Sequence, residues 1–528
     1  MKQLKDILFG VSLKAVSGST AIEVSDLCFD SRKAGDRTVF IAIRGTQADG
    51  HRFIEKALDQ GGVAVICEAL PEILRDGVTY VEVEDSQKAL AVMAANYYGN
   101  PSRNLNLVGV TGTNGKTTVS SLLYQLFKSA GYKVGLLSTI RILVDETEYE
   151  TRLTTPDALT INKHLALMND AGVEYCFMEV SSHGIAQGRA EGLHFRGAVF
   201  TNLSHDHLDY HKTFEEYRNT KKKLFDGLPK SAFALTNADD RNGLFMIQNT
   251  RAGKHTYALK SYADFRAQIL EQQLDGQLLK IDEQEVWTEL IGEFNAYNLL
   301  AIYATASLLG LESLEILQGI SALKTVDGRF QYYVSKNRIT AIVDYAHTPD
   351  AIKNVLSTIN ALRTGNENVI TVVGCGGDRD KSKRPVMGHI ASEMSNTAIF
   401  TSDNPRSEEP GTIIREMEAG VEPQNTRKVI SIEDRRQAIR TACKLAEGGD
   451  IILIAGKGHE TYQEIKGVRR DFDDFKIVKE ELEKQEAAAA AKPQPKSSQH
   501  AQQRPAASSA VAEQGEPKQK KAKKHNTS

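Results

Sequence analysis

The stretch Gly109-Val110-Thr111-Gly112-Thr113-Asn114-Gly115-Lys116-Thr117-Thr118 constrains the fold of this chain more than any other. An apolar run, Leu105 to Val110, precedes it and reads as a buried strand. Val119 to Ala130 follows, with helical apolar spacing at Leu122, Leu123, Leu126 and Phe127. Strand, glycine-bearing turn, Lys-Thr and helix, in that order, describe a phosphate loop. Backbone N–H groups of the turn and the helix start converge on an anion. Gly112 and Gly115 let the backbone approach it without a Cβ in the way. Lys116 supplies a cation for the outer phosphates, and the Thr117 hydroxyl is a ligand for Mg²⁺. The strict pattern has glycine five residues before Gly115, where this chain has Val110, so the form here is the shorter G-x-x-G-K-T-T. The competing reading is an ordinary strand-to-helix turn, which gives no reason for Lys-Thr at the helix start.

With 528 residues the chain has room for about three domains. A formal net charge of -3 gives no global field for nucleic acid. No apolar run reaches the length of a membrane span, and the N-terminus lacks the apolar core of a signal peptide. The five cysteines are odd in number, far apart and without a C-x-x-C pair. That pattern fits reduced thiols in a cytoplasm.

Four units follow from the patterning. Residues 1–103 carry short apolar runs between polar turns, among them Asp30-Ser31-Arg32 and Gly45-Thr46-Gln47-Ala48-Asp49-Gly50-His51. Residues 104–331 alternate strands and helices, which implies a mostly parallel sheet with ligands at the strands' carboxyl ends. Polar constellations fall there: Thr154-Thr155-Pro156, Glu179-Val180-Ser181-Ser182-His183, and Asn202 through His211. Glu179 offers carboxylate oxygen to a hard cation. The dense histidines also raise a zinc reading, although no cysteine lies nearby. Lys221-Lys222-Lys223 reads by default as a solvated helix face. Residues 332–485 alternate again, a Rossmann-like doubly wound pattern without a dinucleotide fingerprint. Residues 486–528 are rich in Ala, Gln, Ser, Pro and Lys and are expected to be disordered.

In combination these motifs place the chain beside a known family. It resembles the Mur ligases of peptidoglycan synthesis over residues 20 to 480, and within them the member that adds the third amino acid. The resemblance rests on DSR at 30–32, GTNGKTT at 112–118, EVSSH at 179–183, NLSHDHLDYH at 202–211 and Tyr-x-x-x-Lys-x-x-Leu-Phe at 217–225. It continues with GEFNAYN at 292–298, GRF at 328–330, DYAHTP at 344–349, DNPR at 403–406 and GKGHE at 456–460. Gln331 departs slightly, since acidic residues also occur there.

The resemblance implies an ATP-dependent amide ligase of mixed α/β class. Its N-terminal domain would hold UDP, its central P-loop ATPase-like domain ATP, and its C-terminal domain the incoming amino acid. The reaction implied couples an amino acid to the D-glutamate γ-carboxylate of UDP-MurNAc-L-Ala-D-Glu through an acyl phosphate. By residue matching, Gly112 to Thr118 with Asn295, Arg329, Asp344 and His347 surround ATP. Ser31, Thr46, Gln47, Ala48, Thr154, Thr155, Ser181, Gln187 and Arg189 surround the nucleotide-peptide. Thr117, Glu179, His207 and Lys221 would hold two Mg²⁺ ions, Lys221 as a carbamate (N6-carboxylysine), which is an anion where an ammonium is not. Lys116, Lys221, Arg329 and His207 would carry the chemistry. Arg384, Asp403, Asn404, Pro405, Arg406, Gly456 and Glu460 would form the amino-acid pocket. Arg406 in the DNPR tetrapeptide goes with meso-diaminopimelate, because a guanidinium pairs bidentately with the distal carboxylate that lysine lacks. Three alternatives stay open: the same ligation with L-lysine, a folylpolyglutamate synthase-like ligase, and a non-catalytic nucleotide-binding regulator. A monomer in the cytoplasm, with no nucleic-acid partner, is expected.

Overall fold

The computed structural model describes residues 1–45, 48–151 and 153–490. Three main sheets follow one another along the chain. The first is five-stranded, in spatial order Leu13–Ser17, Thr79–Val83, Gly62–Cys67, Thr38–Ile41 and Asp26–Cys28. Only Leu13–Ser17 runs antiparallel to its neighbour. The helix Ser86–Tyr97, N-capped by Asp85, packs on one face.

The second sheet has eleven strands. Its parallel part runs, in spatial order, Val134–Leu137, Tyr175–Glu179, Asn106–Thr111, Gly197–Phe200, Phe233–Asn237, Gly253–Ala258 and Phe265–Gln273. The central strands of this part are apolar and buried because helices cover both faces, whereas Gly253–Ala258 and Phe265–Gln273 towards one edge carry polar, exposed residues. The helices Lys116–Ser129 and Glu293–Leu308 share one core with one face of the sheet. The helices Ala158–Asp170 and Phe214–Asp226 seal the other. The parallel reading of this unit covers its centre only. The hairpin Ile142–Val144/Thr147–Tyr149 extends one edge, and Gly276–Ile281 with Gln284–Thr288 extends the other, all antiparallel.

The third sheet is six-stranded, in order Gln331–Val334, Thr340–Asp344, Ile451–Ala455, Val369–Val373, Thr397–Phe400 and Val429–Ser431. All but the first strand are parallel. The last helix, Asp474–Ala490, runs five residues into the stretch 486–528 expected to be disordered. Its apolar residues Ile477, Val478 and Leu482 dock on the third sheet, which holds the helix in place. The rest of that stretch lies outside the described residues. No helix among the described residues is long and apolar enough to cross a membrane.

Candidate active site

Asn106–Thr111 is central in the second sheet, and the phosphate loop leaves its carboxyl end. Gly112 has φ +153°, and a Cβ there would lie 1.9 Å from Thr201 Oγ1. Gly115 has φ +88°, with Asn298 Oδ1 2.6 Å from where its Cβ would be. Both positions therefore require glycine. The loop is held from below. Thr201 Oγ1 donates to Asn114 O at 2.6 Å, and Asn114 N donates to Asn202 Oδ1 at 3.0 Å. Thr113 Oγ1 accepts from Ser204 N at 3.0 Å and meets Tyr217 OH at 3.0 Å. Lys116 curls onto its own loop, donating to Gly112 O at 3.0 Å and Thr113 O at 2.8 Å. Desolvation lowers its pKa against the attraction of Glu179 and Asp206. Thr118 is buried in the first helical turn.

Glu179 ends the neighbouring strand, fully buried. Its carboxylate accepts from Thr117 Oγ1 at 3.0 Å, Thr139 N at 2.7 Å and Thr139 Oγ1 at 3.1 Å. Lys221 is also buried, donating to Gly112 O at 2.9 Å over the Tyr217 ring. Burial, then Lys116, holds its pKa well below the usual lysine range. The default reading of three solvated lysines thus fails for two of them. Lys221 turns inward, and the buried Lys222 pairs with Asp226 within the same helix. His207 sits at φ +56° beside Asp206, with Nε2 3.3 Å from Oδ2. Burial pushes His207 down to about 3, while His207, Lys383 and His347 outweigh burial at Asp206 and hold its carboxyl low. At neutral pH the pair is a carboxylate beside a neutral imidazole. Among the described residues no group of three or more His, Cys, Asp or Glu is placed to hold a metal ion, so the histidine-dense loop is not built as a zinc site.

Residues from the second and third sheets meet over this loop. Arg329 lies in the connection between them, donates to Thr117 Oγ1 at 3.0 Å and stacks 4.6 Å from the Tyr345 ring. Its buried Nε has no partner among the described residues. Phe330 N donates to Asp344 Oδ2 at 2.7 Å, and burial raises Asp344 to about 6. His347 lies beside Tyr345 and is pushed down to about 4 by burial and Lys383. A cavity of about 240 Å³ opens here, lined by Asn114, Gly115, Thr118, Asn295, Asn298, Arg329, Asp344 and Tyr345, with Asp239, Tyr257 and Tyr297. Asn295 is fixed by a 2.9 Å bond to Ile291 O.

The matched peptide-binding residues form one cluster in the second domain. Thr155 Oγ1 donates to Glu179 O and accepts from Ser181 N, each at 2.9 Å. Arg189 donates to Thr155 O at 2.6 Å and to Gln187 Oε1 at 3.0 Å. Thr154 Oγ1 accepts from Thr139 at 3.1 Å. Ser31 and Ala48 stand apart in the first domain, with no described hydrogen bond to this group. Thr46 and Gln47 lie outside the described residues.

In the third domain, Asn404 Nδ2 donates to Glu460 Oε2 at 2.7 Å, and Asp403 accepts from Asn404 N at 2.6 Å. Pro405 is buried, and a Cβ on Gly456 (φ +118°) would meet Asp403 Oδ2 at 2.5 Å. Arg406, at φ +51°, donates to Gly377 O at 2.6 Å and is half-buried. Arg384, matched to the same pocket, donates to Gly376 O at 3.2 Å and is also held by carboxylates of its own domain. Its side chain is fully buried, with Glu408 taking both ends of the guanidinium at 2.9 and 3.0 Å and Glu416 adding a bond at 2.5 Å. Its two terminal nitrogens are thus engaged by carboxylates, while its buried Nε has no partner among the described residues. Thr139, Asp206, Tyr345 and Lys457 belong to these sites but drew no role from the sequence. Asp206, Tyr345 and Lys457 sit inside the motifs NLSHDHLDYH, DYAHTP and GKGHE, which is the available signal.

Three family models cover this arrangement: the Mur ligase family catalytic domain over residues 23–98, the Mur ligase middle domain over 110–306 and the Mur ligase glutamate ligase domain over 328–458. The chain belongs to the Mur ligase family. Members are ATP-dependent ligases that form amide bonds. A relative in Cytophaga hutchinsonii, named UDP-N-acetylmuramoyl-L-alanyl-D-glutamate–2,6-diaminopimelate ligase, is 54% identical over 91% of this chain and 99% of its own. A solved Mur ligase of that same name superposes with TM-score 0.65 at 33% identity, covering 92% of this chain and 99% of that one. A more distant Mur ligase from Thermotoga maritima, solved in complex with ADP, shares the fold at 21% identity with TM-score 0.60, covering 87% and 98%.

Proposed function

We propose that this Mur ligase couples meso-2,6-diaminopimelate to the D-glutamate γ-carboxylate of UDP-MurNAc-L-Ala-D-Glu, using ATP, in the cytoplasm and as a monomer. The observation that carries the choice of amino acid is Arg406, half-buried on the loop that also presents Asn404 to Glu460. A guanidinium there suits a distal carboxylate, and Glu460 suits an ammonium. The name and 54% identity of the Cytophaga relative support the same assignment.

ATP docks with its phosphates on residues 112–118 and its nucleoside in the cavity lined by Asn295 and Asp344, with His347 close to the lining residue Tyr345. The D-glutamate carboxylate, held near Thr155, Ser181 and Arg189, attacks the γ-phosphorus and gives an acyl phosphate and ADP. Lys116 and Arg329 neutralise the charge that develops. The hard oxygens of Thr117 and Glu179, 3.0 Å apart, fit Mg²⁺, which would share the phosphate charge. Unmodified, Lys221 offers no anionic oxygen to a metal, and burial beside Lys116 disfavours its ammonium form. A buried lysine amine bonded only to Gly112 O, among the described residues, is suited to carbamylation by CO₂, and with His207 would then serve a second Mg²⁺. The diaminopimelate amine attacks the acyl carbon, and the tetrahedral intermediate expels phosphate. Groups from three domains must converge, so closure precedes chemistry.

ADP release measured with UDP-MurNAc-dipeptide and each amino acid tests this reading. Turnover is expected with meso-diaminopimelate and far less with L-lysine. Equal turnover with both overturns the role of Arg406. Turnover with neither, or with folate and glutamate instead, overturns the reaction.

A further inference from the structure

Lys457 sits in the loop after the strand Ile451–Ala455, and its side chain has 0% exposure. A buried ammonium is costly unless every bond it needs is supplied. Here Nζ donates to Asn404 Oδ1 at 3.1 Å and to Glu460 Oε2 at 3.0 Å. Asn404 Nδ2 closes the triangle on the same Glu460 oxygen at 2.7 Å. The Asn404 carbonyl is held further by Glu464 N at 2.9 Å. Both partners of Lys457 are thus oriented by it, and the second Glu460 oxygen makes no described hydrogen bond.

Charge is the other half of the argument. Asp403 and Glu460 bring two carboxylates into one pocket, close enough that Asp403 opposes ionisation of Glu460. The neighbouring Arg435 attracts both carboxylates, but Asp474 takes its guanidinium bidentately at 2.9 and 2.7 Å and offsets its charge. Lys457 cancels one of the two carboxylates, and Arg406, bonded to Gly377 O but in no ion pair among the described residues, is left to pair with a substrate carboxylate. The pocket therefore suits an amino acid whose far end is zwitterionic. Without Lys457 the excess negative charge would favour a far end that is purely cationic.

We propose that Lys457 is a positioning and specificity-determining residue: it orients Glu460 and Asn404 and sets the pocket's charge to favour a substrate with a distal carboxylate over a dicationic one. The inference rests on the amino-acid pocket proposed above. The full-length Lys457→Met protein should show a KM for meso-diaminopimelate raised tenfold or more. Its KM values for ATP and UDP-MurNAc-dipeptide should stay within twofold of wild type. The ratio of kcat/KM for meso-diaminopimelate to that for L-lysine should fall at least tenfold. Lys457→Arg, which keeps the charge but not the geometry, should raise KM while retaining most of the discrimination, and it serves alone if Lys457→Met does not fold. A parallel rise in all three KM values, or unchanged discrimination in Lys457→Met, overturns the proposal. So does loss of discrimination in Lys457→Arg. Wild-type protein inactive with meso-diaminopimelate would instead overturn the reading of the reaction.

Discussion

Arg435 and Asp474 make the sharpest stability test in the molecule. Both side chains have 0% exposure, and the guanidinium spans the carboxylate with bonds of 2.9 and 2.7 Å. Arg435 also donates to Ala455 O at 3.0 Å, and Ser402 O lies 3.5 Å from Nη1. Ala455 ends one strand that leads into the amino-acid pocket, and Ser402 lies two residues past the end of another. Removing one partner of a buried pair strands the other charge, which costs about 3–5 kcal/mol. Asp474→Leu and Arg435→Met should each lose that much. In a domain of this size the unfolding midpoint would fall by roughly 10 °C. The double variant Arg435→Met/Asp474→Leu removes both charges and leaves only carbonyls short of a donor, for about 1–3 kcal/mol. Urea unfolding of all four proteins should therefore give a coupling of at least about 3 kcal/mol. Single variants that lose less than about 1 kcal/mol, or losses that simply add, would refute the reasoning.

Further outcomes follow from the phosphate loop and its surroundings. Gly112→Ala, whose Cβ would lie 1.9 Å from Thr201 Oγ1, should abolish nucleotide binding measured by calorimetry while the protein stays folded by circular dichroism. Arg329→Met should lower kcat by roughly a hundredfold or more, since it removes a cation from the transferring phosphoryl group; an unchanged kcat would exclude that role. Asp344 titrates at about 6 in the folded chain against the usual 3.8. Its stabilising protonation is complete below pH 3.8 and is lost as pH rises through 6, a swing of about 3 kcal/mol. Asp344→Asn should therefore raise the unfolding midpoint at pH 7.5 in the nucleotide-free protein and weaken ATP binding; a lowered midpoint would contradict the assignment. A ¹³C-labelled carbamate signal should appear in wild type with labelled bicarbonate and vanish in Lys221→Gln.

The phosphate loop was legible because its physics is local: strand, turn and helix lie within about 25 residues, and each glycine answers to a steric demand. Glu179 and Asp403 were legible as strand-end residues of parallel sheets. What escaped was set by distant pairing. The ion pairs of Arg384 could not be read, because Glu408 and Glu416 lie 24 and 32 residues downstream. The burial of Lys221 was not legible from helical phase, which does not say that Tyr217 and the phosphate loop cover that face. The antiparallel strands from Gly276 to Thr288 alternate too weakly to announce that they lengthen the central sheet.

Arg329 and the cavity beside it have a mechanical consequence. The cavity's walls come partly from the second sheet's loops and partly from Tyr345, Asp350 and Val355 of the third domain. Its volume is therefore a gauge of the angle between two bodies, and any tenant acts as a wedge of fixed thickness. ATP and a compact inhibitor filling the same space would set different angles. An inhibitor of this kind need resemble neither substrate: holding the gap a little too wide would keep the acyl phosphate and the amine from ever meeting.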